Sequence, residues 1–149
     1  MPAITLHDLQ NKLHEQIPLT KTIGIRVTDY SGETLTLSAP LQNNINHKST
    51  AFGGSLYSVA VLAGWGLLYT KLNELDLSGH IVIQQSNVNY LQPVKSDIIA
   101  TCSVGDITTF ERFIRTFNKK GMARIKLASV IMQGDEAAVE FEGSYVVHV

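Results

Sequence analysis

Leu6, Leu9, Leu13 and Ile17 recur at three- and four-residue spacing, which predicts a short amphipathic helix over residues 5–16. Thr5 is its N-cap, Asp8 stands three positions later, and Pro18 stops it. Period two follows: Ile25 and Val27 alternate with Arg26 and Thr28, then Leu35, Leu37 and Ala39 with Thr34, Thr36 and Ser38. With Ser31-Gly32 as the turn, this predicts a β-hairpin with one buried face. A polar loop, Gln42 to Thr50, runs into a segment beginning Phe52-Gly53-Gly54, in which Leu56, Val59, Ala60, Val61, Leu62, Ala63, Trp65, Leu67 and Leu68 point in nearly every helical direction. That is the pattern of a helix buried on most sides. Ser78-Gly79 ends it, and strands are expected from about His80 to Leu91, Asp97 to Val104, Met122 to Met132 and Ala137 to Val147, with Gln133-Gly134-Asp135 turning the last pair. The stretch between Val104 and Met122 receives no element. The third strand carries Gln84, Gln85, Ser86, Asn87 and Asn89, too polar for a dry core, so a wet site or a subunit interface is expected there.

Runs of strands around one buried helix favour an α+β fold with an antiparallel sheet over a parallel doubly wound one. No repeat, linker or composition break divides the chain, so residues 1–149 read as a single domain.

Composition agrees. With 149 residues, 44% hydrophobic and a formal net charge of -1, the chain is neither disordered nor fibrous, and no whole-surface attraction draws it to nucleic acid. Ala51 to Thr70 is free of charge over a length close to a bilayer span, but its glycines, its hydroxyls and the flanking amphipathic strands argue for a core helix. The single cysteine, Cys102, alternates with Ile98 and Ala100 and reads as an inert core thiol. Met1 to Asp8 lacks the basic and apolar regions of a secretory leader, so a cytoplasmic location is expected.

The most informative stretch is Asn46-His47-Lys48-Ser49-Thr50-Ala51-Phe52-Gly53-Gly54-Ser55-Leu56, a polar loop feeding a helix through a glycine pair. A helix start presents unpaired N–H groups and partial positive charge. Glycines there clear a path by which the amides of Gly54 and Ser55 meet a carbonyl oxygen as it becomes an oxyanion; the plainer alternative is a glycine pair that lets the helix pack closely.

Carried by Asn46, His47, Thr50, Phe52, Gly53, Gly54 and Tyr57 together with the order of elements, the chain resembles the hotdog-fold thioesterases over nearly its whole length. The form it resembles most is the thioesterase domain that in some bacterial proteins is fused behind a GNAT-type acetyltransferase; acetyl transfer itself is not expected of these residues. The resemblance implies a sheet of about six strands wrapped around a central helix, and a homodimer, or a dimer of dimers, with sheets joined edge to edge. It also implies two sites at the subunit interface for an acyl thioester of coenzyme A or acyl carrier protein. Many hotdog hydrolases place a carboxylate about two turns into the central helix. Here Val59, Ala60, Val61 and Leu62 stand in that region, and the first helix carboxylate is Glu74.

Water activation then falls to His47, with Asn46 holding the water or the carbonyl; a solvated loop histidine and a turn-forming asparagine are the plain alternatives. Phe52, Gly53, Tyr57, Ser58, Asn87 and Asn89 are the expected substrate contacts. His7, His14, His80 and His148 show no ligand spacing, so no metal is expected, and no cofactor beyond coenzyme A as part of the substrate. Half of the twelve Lys and Arg residues fall between positions 112 and 126: Arg112, Arg115, Lys119, Lys120, Arg124 and Lys126. They read as a solvated face or as a docking surface for coenzyme A phosphates or an acidic carrier protein, and not as a nucleic-acid module. Alternatives to a hydrolase are a non-catalytic acyl-binding or assembly module, favoured by the missing carboxylate, and a hotdog dehydratase or hydratase.

Overall fold

Thr5 caps the first helix, α1 (Leu6–Gln16), in a capping box: its Oγ1 accepts from the Asp8 amide at 3.0 Å while the Asp8 carboxylate accepts from the Thr5 amide at 3.4 Å. The computed structural model describes residues 4–149; Met1, Pro2 and Ala3, which open the segment read as lacking a leader, lie outside the described residues. After Pro18 the chain adds a short helix that the spacing did not predict, α2 (Leu19–Ile23), closed by Gly24 at φ 82°. The hairpin follows as β1 (Arg26–Tyr30) and β2 (Thr34–Ala39). Then come the long helix α3 (Gly53–Glu74), β3 (His80–Tyr90) and β4 (Ile98–Ser103).

A second correction lies between β4 and β5 (Met122–Gln133), where an amphipathic helix, α4 (Ile107–Lys120), occupies the stretch that received no element. Asp106 caps it by accepting from the Thr109 amide at 3.2 Å, and Gly121 closes it at φ 71°, a left-handed conformation that glycine adopts without a Cβ penalty. Phe110, Phe113 and Phe117 form its buried face. β6 (Glu136–His148) completes the chain.

All six strands form one antiparallel sheet in the order β1-β2-β4-β5-β6-β3, curled around α3: this is the hotdog fold. Val59, Ala60, Ala63, Leu67 and Leu68 of α3 are fully buried against Leu35, Leu37, Ile98, Ala100, Ile131 and Val139 of the sheet. Each large side chain so buried contributes about 1.5–3 kcal/mol. Two hydroxyls tie the sheet to the helix backbone: Ser129 Oγ donates to the Ala60 carbonyl at 2.9 Å and Tyr145 Oη to the Val61 carbonyl at 2.7 Å.

The two sheet edges differ. Along β1, Gln10 Oε1 of α1 accepts from the Val27 amide at 3.1 Å and His14 Nε2 donates to the Ile25 carbonyl at 2.9 Å, so side chains of the first helix occupy the outer strand's backbone groups. β3 has no such cover among the described residues, and Val82, Ile83 and Tyr90 on it are exposed.

Candidate functional site

α3 begins without a side-chain cap: Phe52 is its N-cap residue, in an extended conformation. Leu56 is the first residue whose amide is paired, to the Phe52 carbonyl at 3.0 Å. The N–H groups of Gly53, Gly54 and Ser55 therefore have no hydrogen-bond partner among the described residues, at the positive end of a helix of 22 residues. Gly54 is required by close packing: a Cβ there would sit 2.5 Å from the Phe52 ring, which lies over it. Gly53 is less constrained, its nearest neighbour being the Tyr90 ring at ordinary van der Waals distance.

The entering loop is held from below by a residue the sequence reading passed over. Asn44 is buried, donates through Nδ2 to the carbonyls of Ile23 (3.0 Å) and Pro40 (2.7 Å), and through its own carbonyl accepts the Phe52 amide at 2.7 Å. Asn46 does related work one turn on. Its Oδ1 accepts from the amides of Lys48 (2.8 Å) and Thr50 (3.1 Å), and its Nδ2 donates to Thr50 Oγ1 (2.9 Å) and the Ala51 carbonyl (3.5 Å). An amide side chain has two donors and two acceptor lone pairs, and all are used in shaping this turn. His47 follows at the turn's tip, exposed, its ring bonded to nothing among the described residues.

Hydroxyl groups of α3 and β3 meet at the first turns of α3. Tyr90 Oη donates to the Gly53 carbonyl at 3.0 Å, and Ser58 Oγ to the Gly54 carbonyl at 2.9 Å. Tyr57 Oη and Ser86 Oγ share a hydrogen bond of 2.9 Å. Burial, and secondarily the neighbouring Tyr57, raise the Tyr90 phenol above its ordinary range, keeping it a neutral donor.

Because Ser86 and Tyr90 face the helix, strand alternation turns Asn87 and Asn89 to the opposite face, where Asn87 lines a small hollow with Lys126 and Glu142. The structure does not bring those two asparagines to the helix start; Ser86 and Tyr90 stand there instead. The signal that would have chosen them was phase: a bulge between Ile83 and Gln85 resets which β3 residues face inward.

Beyond Tyr57, a cavity of about 890 Å³ opens between α3 and the first half of β3, walled by Val61, Leu62, Trp65, Tyr69, Ile81 and Ile83. Trp65 and Tyr69 stack at 5.3 Å between ring centroids. This is a half-exposed apolar stripe on an otherwise buried helix.

Residues 6–149 match the model of a family described as "Putative thioesterase (yiiD_Cterm)". The chain belongs to this thioesterase family. Among solved structures it is similar to a protein of unknown function from Chlorobaculum tepidum TLS, at 34% identity over 98% of both chains with a TM-score of 0.90. It is also similar to a putative thioesterase from Shewanella oneidensis, at 28% identity over 97% of both chains and a TM-score of 0.87. A probable thioesterase of Pseudomonas aeruginosa shares the fold at 18% identity and a TM-score of 0.82, over 98% of this chain and 97% of that one. Family membership supports acyl thioester hydrolysis at the family level. Among the described residues no helix is long and apolar enough to cross a membrane, so the uncharged stretch is a core helix as expected.

On this thioesterase fold the basic residues are placed away from the α3 start. Arg112, Arg115, Lys119 and Lys120 lie on the outer face of α4 and Arg124 on β5, all exposed, and none pairs with a carboxylate among the described residues. Lys126 alone of the cluster is paired, to Glu142 at 3.8 Å, both ends exposed and worth little. The Phe117 ring lies close against Gly79, and the Val149 amide donates to the Gly121 carbonyl at 3.0 Å. The C-terminal turn of α4 is thus beside the start of β3, whereas the α3 start is beside the end of β3.

Proposed function

We propose that this chain hydrolyses an acyl thioester of coenzyme A or acyl carrier protein at the start of α3. The observation that carries the reading is the uncapped first turn, whose Gly53, Gly54 and Ser55 amides are unpaired among the described residues. The thioester carbonyl oxygen lies against the Gly54 and Ser55 amides, which stabilise the negative charge that develops as water attacks the carbonyl carbon. His47 takes the water proton as the tetrahedral intermediate forms; the C–S bond then breaks, releasing a carboxylic acid and a thiol that receives the proton. Asn46 serves by holding the turn that presents His47. Tyr57 and Ser86 place a hydroxyl pair beside the acyl group, and Phe52 and Gly53 border the entrance.

The working unit is a homodimer formed along β3. That strand is the uncovered sheet edge, and the apolar stripe of Val61, Trp65 and Tyr69 lies next to it, so a second copy covers both at once.

A second reading, a non-catalytic acyl-binding module, is favoured by the exposed, unpartnered His47 and by the absence of a carboxylate on α3 before Glu74. Thiol release from short, medium and aromatic acyl esters of coenzyme A and of acyl carrier protein separates the two. Hydrolysis that falls at least about a hundredfold in Gly54→Val and in His47→Ala is the expected result. No release from any ester would leave the binding module, and activity surviving both substitutions would move the site elsewhere.

A further inference from the structure

The exposed cations of α4 sit at the wrong end of their own subunit to serve its site. Lys119 and Lys120 end the helix whose Phe117 packs on Gly79, just before β3 begins, while the α3 start is tied to Tyr90, where β3 ends. The ends of an 11-residue strand are about 33 Å apart at ~3.3 Å per residue. A phosphopantetheine arm is shorter than six extended residues, about 20 Å, and does not bridge that gap.

A two-fold axis changes this geometry. Two copies paired antiparallel along the full open edge of β3 set His80 of one opposite Tyr90 of the other, because an isologous interface exchanges the strand ends. The partner's α4 then lies at the mouth of this protomer's site. From this placement we propose that each α4 serves the partner's site, as the docking surface for an acidic carrier protein that delivers the acyl group on its arm. The inference rests on the thioesterase and dimer readings above.

The occupant follows from shape and charge. Arg112, Arg115 and Lys119 stand at helical spacing on one exposed face, unpaired, and neither the cavity beside α3 nor the hollow beside Asn87 includes them. A nucleotide is usually held in a concave pocket with a few precisely placed polar groups. A ridge of free cations is complementary to an acidic protein surface, which it steers and orients.

Two measurements test the two halves. Tyr90→Cys and Lys119→Cys, made singly and mixed to allow subunit exchange, are treated with a short bismaleimide. A covalent dimer on a denaturing gel is expected only from the mixture or the double variant. Its absence, or cross-linking confined within one chain, would overturn service in trans without reference to turnover. For the occupant, octanoyl acyl carrier protein is bound to the wild type and to Arg112→Glu/Arg115→Glu/Lys119→Glu, whose fold is checked by melting and whose dimer by sedimentation. At least a tenfold loss of carrier affinity is expected. Unchanged affinity would overturn the docking surface, and an equal loss for octanoyl coenzyme A would overturn the carrier as its occupant. Carrier binding with no thiol release would overturn the thioesterase reading while the docking surface stood.

Discussion

Cys102 shows how burial sets the chemistry of a single side chain. It is fully buried on β4, and desolvation pushes its thiol up to about 11, against smaller opposing contributions from hydrogen bonds with Ser129 and the Ser103 backbone. Since the folded thiol holds its proton more tightly than the unfolded one, its contribution to stability is complete below about pH 9 and is lost as pH rises from there through about 11. On the order of 2–3 kcal/mol is at stake. Urea unfolding at pH 8 and pH 9.5, below the range in which the desolvated Tyr30 and Tyr145 phenols add most of their own loss, is expected to show a decline in the wild type that is smaller in Cys102→Ala; equal pH slopes would contradict it. The same residue was legible in the sequence as a core thiol because its neighbours alternate cleanly. Asn46 was legible only as a residue type. Its four hydrogen bonds into the turn depend on the positions of the Lys48, Thr50 and Ala51 backbones, which no spacing rule supplies.

Packing at the level of elements turns on Gly64 in the middle of α3. Glycine is a poor helix former, yet here any Cβ would collide with the hydroxyl of Tyr145, the group that donates to the Val61 carbonyl. Gly64→Ala is therefore expected to destabilise the fold by about 2 kcal/mol despite its better helix propensity, measured by denaturant titration; adding Tyr145→Phe, which removes the colliding oxygen, should recover part of that loss. Long elements with one strong period were readable from sequence: α1 through its leucines and capping box, α3 through apolar residues in every direction, β5 and β6 through alternation. α4 was not. Phe110, Phe113 and Phe117 carry a helical period, and Asp106 and Gly121 are proper boundary residues. Three aromatics among strands also fit a core, however. The polarity of β3 was readable, but the face of each polar side chain was not, since the bulge between Ile83 and Gln85 shifts the phase.

For the whole molecule, the central helix is complete on the sheet side and unfinished on the other. Trp65 and Tyr69 stack on its half-exposed stripe above Ile81 and Ile83, bordering the cavity of about 890 Å³. Replacing Trp65 by Glu puts a charge into the surface that the second copy covers in the proposed dimer, and monomers are expected by sedimentation at micromolar concentration, with thioester hydrolysis falling alongside. A variant that stayed dimeric would place the interface elsewhere. The start of α3 after the glycine loop and the fold around it could be anticipated from the loop and its glycines. The remoteness of the basic cluster could not, because it depends on where α4 crosses the end of the sheet.

The covering of β1 by Gln10 and His14 decides how far such assembly can go. A sheet with two bare edges accepts a new copy at each end and grows without limit into a fibre. Here the chain's own first helix engages the β1 edge at the Val27 amide and the Ile25 carbonyl, so in the proposed dimer paired along β3 the outer edges are already partly covered. Such cover opposes further strand addition to the proposed dimer, and the two hydrogen bonds made by α1 are part of what would keep the particle finite.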